Sequence, residues 1–218
     1  MKYGSLPKYL GTHKIQCEEM LFYQYLPIKL KNQTELKIEK RLNCFEKLIG
    51  NICCDFVGEF GLNRFVKSYV YLTVKKMYQL NGCSYNRKGY HSDGFLTDDI
   101  NYIWSDKNPT VFNYSPFKLT LEDTISINEM DKQANKKAIK IYPENSLLRL
   151  DQFNIHKVYE NKELVLRTFV KVSFSADKYD LKGNSKNYLL NYDWKMRNRR
   201  LERNIPQLIT KNLNKIVS

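Results

Sequence analysis

Val165-Leu166-Arg167-Thr168-Phe169-Val170-Lys171-Val172-Ser173-Phe174-Ser175 alternates as a strand does. Successive side chains of a strand point to opposite faces. Val165, Arg167, Phe169, Lys171, Ser173 and Ser175 therefore share one face, and Leu166, Thr168, Val170, Val172 and Phe174 share the other. The second set is the apolar one and belongs against a structural core. The first is mixed and charged, which suits the lumen of a small barrel that holds a ligand.

Working outward, the same β-branched and aromatic character recurs in residues 66–74, 102–104, 110–112, 138–142, 147–150 and 155–158. Asn81-Gly82 marks a turn. Short strands separated by turn signals predict a barrel or jelly roll. Residues 34–62 read as a helix instead. Leu36, Leu42, Phe45, Leu48, Ile52, Phe56 and Phe60 recur mostly at steps of three or four, with Thr34 as N-cap and Gly61 as stop. Residues 124–135 form a short helix or a long loop. Residues 1–32 have no clear period and form either an arm or extra strands. From Lys182 the chain changes character. A turn at Gly183-Asn184-Ser185 leads to a strand or extended arm over residues 187–192, then to a basic cluster of Lys195, Arg197, Arg199, Arg200 and Arg203. That cluster reads as a contact for a nucleic-acid backbone or as the polar face of a helix with Trp194, Leu201 and Ile205 on its apolar side.

With no repeats and no low-complexity linker, the 218 residues predict a single domain. It divides into an N-terminal arm and packing helix (1–65), a β core (66–176) and a basic C-terminal extension (177–218). A net charge of +13 and a pI near 9.4 favour an anionic partner, nucleic acid above all, although Lys-, Asn- and Tyr-rich composition also follows from an AT-rich genome, such as a phage's. Cys17, Cys44, Cys53, Cys54 and Cys83 form no CxxC pair. Their odd number and the lack of a signal peptide predict reduced thiols and a cytoplasmic protein. No apolar run approaches the roughly 20 residues of a membrane span. Nothing in the sequence speaks to oligomeric state.

The chemistry concentrates in Gly89-Tyr90-His91-Ser92-Asp93-Gly94-Phe95. On a strand, His91 and Asp93 point to the same side. His156 lies downstream in another strand, and the chain has only three histidines. Two imidazoles and one carboxylate form the facial triad that holds non-haem Fe(II) and leaves three coordination positions open. A bidentate 2-keto acid fills two of these, and dioxygen fills the third. Such a site needs a cation for the far carboxylate of the keto acid. Arg167, eleven residues beyond His156, is the candidate, because its planar fork binds a carboxylate bidentately. Arg149 is its rival. Zinc could use the same ligands, but zinc sites usually add a Cys or a third His.

This order of residues, HxD (His91, Asp93), distal His156, then Arg167 on an apolar-backed strand, resembles the Fe(II)- and 2-oxoglutarate-dependent dioxygenases. The stretch 147–156 looks like the strand-turn-strand that delivers the distal histidine there. The stretch 167–175 looks like the last core strand. The resemblance covers about residues 66–176. It implies an α+β protein, mainly β: a double-stranded β-helix (a cupin-like jelly roll) with a long helix packed outside. It also implies Fe(II), 2-oxoglutarate and dioxygen as cofactor and cosubstrates, with hydroxylation or N-demethylation as the outcome. Tyr71 and Tyr102 lie on early strands, where such proteins often place a hydroxyl for the cosubstrate carboxylate; each also reads as a packing tyrosine. The likeness is nearer to prolyl-hydroxylase-like or phage-encoded members than to the alkylation-repair branch. That branch has a second arginine further along the same strand, whereas this chain has Lys171 at another offset.

Tyr85, Arg87, Lys88 and Tyr90 precede the HxD motif and offer rings for stacking and cations for phosphates, or else make an ordinary solvated loop. His13 and Trp104 read as structural. A nucleic-acid substrate leads on charge. A protein prolyl or asparaginyl hydroxylase, a small-molecule hydroxylase and a non-catalytic binding module on the same barrel are the alternatives.

Overall fold

The computed structural model describes residues 2–80 and 89–199. It is an α+β fold of mainly antiparallel sheet. The larger sheet has six strands: β1 (Lys8–Thr12), β2 (Leu21–Lys29), β3 (Tyr69–Gln79), β4 (Ile100–Ser105), β7 (Ser146–Leu150) and β9 (Val165–Ser175), in the order β1-β7-β4-β9-β3-β2. The smaller sheet has β5 (Val111–Asn113), β6 (Ile139–Ile141) and β8 (His156–Lys157), in the order β6-β5-β8. An isolated antiparallel bridge between His91 and His156 adds residue 91 beyond β8.

Each strand expected between residues 102 and 174 forms, within a few residues of its expected bounds. The expected helix starts later. After a 3-10 turn at Lys40–Phe45, α1 runs Glu46–Phe60 and stops at Gly61, whose φ of 84° suits glycine. Residues 32–37 instead fold back on their neighbours: Asn32 N–H donates to Val66 O and Lys37 N–H to Ile28 O. Those bonds compete with helix, so Thr34 is not a cap. Val66 and Lys67, expected to open a strand, end the short helix α2 (Leu62–Lys67). There the fully buried Lys29 ammonium donates to Val66 O and Ser68 O. The first 30 residues are not an arm. They supply β1 and β2, the two edge strands of the large sheet.

The apolar face of β9 packs as its alternation requires. Val170, Val172 and Phe174 join Val70, Leu72, Val74, Tyr102 and Trp104 under Leu48, Ile49, Ile52 and Phe56 of α1. Phe174 stacks on Phe56 at 3.9 Å between ring centroids. The opposite face turns toward the small sheet, where Ile103, Leu148 and Leu150 pack with Phe112. Beyond the small sheet, α3 (Asp123–Gln133) covers Tyr90, Phe95, Phe117 and Ile155 with Met130. The α3 N-terminus is capped by the Glu122 carboxylate, which accepts from Thr124 N–H and Ile125 N–H.

Residues 182–199 contain no helix. They form no strand over 187–192. Ser185 N–H on Gln24 O and the buried Asn187 amide, which donates to Pro27 O and Lys37 O, hold the segment to β2. After a turn at 188–190 it doubles back to a bridge between Arg197 and Leu181. Arg197 pairs with Asp180, and Arg199 donates to Asn184. Arg200 and Arg203 lie outside the described residues. Among those described, no helix is long and apolar enough to cross a membrane. Cys17, Cys44, Cys53 and Cys54 are free thiols, while Cys83 lies outside the described residues.

Candidate metal centre

His91 and His156 face each other across the small sheet. Each backbone N–H donates to the other's carbonyl at 2.9 Å, so the two residues are a directly hydrogen-bonded pair. Their side chains leave on the same side of the sheet, with ring centroids 4.7 Å apart. Asp93, two residues beyond His91, brings its carboxylate to the same point. One ligand atom from each of the three lies within 4.8 Å of the others. The triad read from the sequence is thus assembled.

Local sequence explains the placement. Gly89 and Gly94 bracket the motif with φ of 79° and 70°. A Cβ on Gly89 would stand 3.0 Å from Asp131 Oδ1, and one on Gly94 would stand 2.8 Å from Thr97 Oγ1. Both turns therefore need glycine. Between them Ser92 Oγ donates to Gln152 O at 2.5 Å, tying the HxD segment to the turn before His156. That turn is closed by Asp151 N–H on Asn154 Oδ1 and Phe153 N–H on Asp151 Oδ1.

The imidazoles are oriented through their inner nitrogens. His91 Nδ1 lies 3.1 Å from Gly89 O, and His156 Nδ1 lies 2.9 Å from Asn154 O. A carbonyl only accepts, so each Nδ1 carries a hydrogen, which leaves Nε2 as the ligand atom of the neutral ring. Backbone partners of this kind fix tautomer and ring angle in metal-binding histidines. His156 Nε2 stands 3.7 Å from Asp93 Oδ2. Two buried imidazoles and one carboxylate suit a divalent transition metal, and the donor set is that of the facial triad. The residues fit the ion.

One partner in this site was not expected from the sequence. Lys171 Nζ lies 2.8 Å from Asp93 Oδ2, with the lysine side chain 10% exposed and the aspartate 22%. Its ammonium also sits 5.3 Å from the centre of the Tyr25 ring. Burial alone would raise the Asp93 carboxyl, but Lys171, and after it His156 and His91, outweigh burial and hold it well below the usual carboxylate range. Burial likewise disfavours the Lys171 charge, and Asp93 more than restores it. The signal was present in the sequence: Lys171 shares the inward face with Arg167. Only its offset argued against a role.

Arg167 is buried on that inward face, as expected. Its Nε donates to Lys107 O at 2.9 Å, and its guanidinium lies 5.0 Å from the Phe169 ring centre. Burial pushes it down to about 10, with Asp106 opposing. Lys75, opposite Phe169 on β3, is pushed down to about 8 by burial and by the nearby charges of Lys171, Arg167 and Arg199. The interior is thus rich in positive charge.

Other expectations are corrected. Tyr102 faces α1, and its hydroxyl donates to Asp55 at 2.8 Å. In the register Tyr102 sits opposite Val172, on the apolar face of the sheet, so it cannot reach the triad. Arg149 belongs to the same helix-side cluster, paired with Asp55 and Glu59, and is no rival to Arg167. Tyr71 does face inward, opposite Ser173. Its hydroxyl is used by the loop after β9, donating to Asp177 O and accepting from Tyr179 N–H, so it positions that loop. Tyr90 points away from His91 into the α3 cluster; it is a packing residue with Lys157 over its ring. Tyr85, Arg87 and Lys88 lie outside the described residues. Trp104 is core, its indole N–H donating to His13 O.

No protein-family model and no curated protein matches this chain.

Proposed function

We propose that this chain is an Fe(II)- and 2-oxoglutarate-dependent dioxygenase built on a double-stranded β-helix. The observation that carries the reading is the convergence of His91, Asp93 and His156 within 4.8 Å, on an interior that also holds buried cations. His91, Asp93 and His156 would hold the metal through two Nε2 atoms and one carboxylate. Arg167 is the residue assigned to the far carboxylate of 2-oxoglutarate. Ile103, Phe112, Leu148 and Leu150 form the dry wall between the sheets. Bound Fe(II) would supply dioxygen activation: 2-oxoglutarate is oxidised to succinate and carbon dioxide, and the second oxygen atom enters a C–H bond of the substrate. On an N-methyl carbon that hydroxylation gives demethylation.

The substrate is proposed to be a macromolecule, nucleic acid first, on the strength of a net charge of +13. Protein prolyl or asparaginyl groups and small molecules are the other outcomes of a substrate screen. The test is succinate release from 2-oxoglutarate with Fe(II) and candidate substrates. Wild type should turn over, and His91→Ala should not. If the wild type binds no iron at all, the reading fails.

One observation favours a second reading, a non-catalytic binding module on the same barrel. The lysine seated on Asp93 already neutralises the carboxylate that a metal would use. Iron-dependent succinate release would exclude it.

A further inference from the structure

Lys171 places a positive charge on the same carboxylate oxygen, Asp93 Oδ2, that lies nearest His156 Nε2. A divalent ion held by His91, Asp93 and His156 would meet that ammonium at short range in a site shielded from water, where like charges repel far more strongly than at the surface. A buried carboxylate whose cation is removed is strongly disfavoured, so Asp93 keeps either the lysine or the metal.

The fold gives the ammonium a second partner, the Tyr25 side chain, which it already meets while it holds Asp93. β2 breaks register with β3 between Tyr23 and Leu26, and Tyr25 inside that irregularity has a φ of 49°. Non-glycine residues are uncommon there, and bulges often re-aim a side chain beside a site. The Tyr25 backbone N–H is held by Thr73 Oγ1 at 3.0 Å, and the ring is set edge-on to Tyr179 at 5.1 Å. Tyr179 in turn donates to Asp99 at 2.6 Å. The ring beside the Lys171 ammonium is therefore fixed from both ends, and an aromatic face attracts a desolvated cation.

We infer that Lys171 is an exchangeable internal cation: it occupies Asp93 in the metal-free protein and yields to the metal by withdrawing onto the Tyr25 ring. This rests on the metal reading of the triad. Its consequence is specific. Lys171 weakens metal binding, which is the opposite of what a residue that merely orients Asp93 would do.

The experiment is a Co(II) titration of the full chain, followed by visible absorption and by competition with a chelator of known affinity. Lys171→Met should bind Co(II) at least about tenfold more tightly than wild type, because it removes a like charge that faces the ion out of bulk water. Lys171→Arg, which keeps the charge, should stay weak. Lys171→Gln serves in place of the Met variant if the latter does not fold. Tyr25→Leu should weaken Co(II) binding in wild type and leave it unchanged in the Lys171→Met background. His91→Ala should abolish binding in both backgrounds and so locate the metal. Equal or weaker binding by Lys171→Met overturns the inference while the metal reading stands. Equal effects of Tyr25→Leu in the two backgrounds overturn the withdrawal onto the ring. If neither wild type nor Lys171→Met binds Co(II), the metal reading and the inference fall together.

Discussion

Phe174 and Lys171 stand three residues apart on β9 and meet opposite surroundings. Phe174 lies under α1, stacked on Phe56 among aliphatic side chains. Lys171 lies on the other face with Asp93 and the two histidines. Both are buried, and alternation alone decides which is which. On the helix side burial is repaid by apolar area and close packing. On the inner side it is tolerated because the polar groups find partners: Lys171 on Asp93, Arg167 on Lys107 O, and Ser173 Oγ on Asn101 Oδ1. Buried charge of that kind is weak support for stability. The inner face therefore reads as a site, and the outer face as the scaffold that holds it.

The comparison can be broken from either side. Removing His156 to alanine should cost metal affinity roughly a thousandfold or more (about 4 kcal/mol), beyond the 10–100-fold that partners of a ligand are worth. Stability without metal should fall less, by about 1–2 kcal/mol for the lost ring contact with Phe112 and the bond to Asn154 O, and Co(II) titration beside a urea melt would check both. Phe174→Ala should do the reverse. It should destabilise the fold by about 3–4 kcal/mol, as large core truncations do, while leaving the order of metal preference intact; chemical denaturation measures the first and metal competition the second.

Arg149 sharpens the contrast, being a charged residue on the scaffold side. Arg149→Ala should cost about 2 kcal/mol, since it strands the partly buried Asp55 and its hydrogen bond from Tyr102. Co(II) affinity should not change, because the cluster lies across the sheet from the triad.

The smallest expected effect is one of pH. Lys75 is held down to about 8 in the folded chain, below its ordinary value of about 10.4. Between those values the unfolded chain binds the proton that the folded chain gives up, so stability rises with pH across that window. The gain, about 1 kcal/mol between pH 7.5 and 9, should be missing in Lys75→Met. An anion bound in the interior should shrink it, by letting Lys75 keep its proton. Urea midpoints at pH 7.5 and 9 for both proteins would measure the difference.

Much of this was legible in the residues. The alternation of 165–175 assigned both faces of β9 correctly, and an HxD beside paired glycines, with one distant histidine, picked out the three side chains that converge. Three things were not legible, each for a physical reason. Tyr102 was misplaced because a tyrosine on a strand packs equally well on either face, and only the register opposite Val172 decides. The start of the helix was misplaced because Leu36 reads as one more apolar residue ahead of the Leu42–Phe60 series but packs on the core, with Ile38, from an extended segment bonded to Ile28 and Val66. Edge strands β1 and β2 lacked a clear period because Gly11, Pro27 and the irregular register around Tyr25 interrupt alternation.

The reciprocal hydrogen bonds between His91 and His156 have one more consequence. A slip of one residue in that pairing would turn one imidazole to the far side of the sheet. A metal held by the proposed triad would therefore bind only the chain in correct register, and whatever binds the native form alone stabilises it in proportion to the logarithm of its concentration over Kd. The ion would act as a proofreader of folding, drawing mispaired chains back to the arrangement in which Asp93 and both histidines meet.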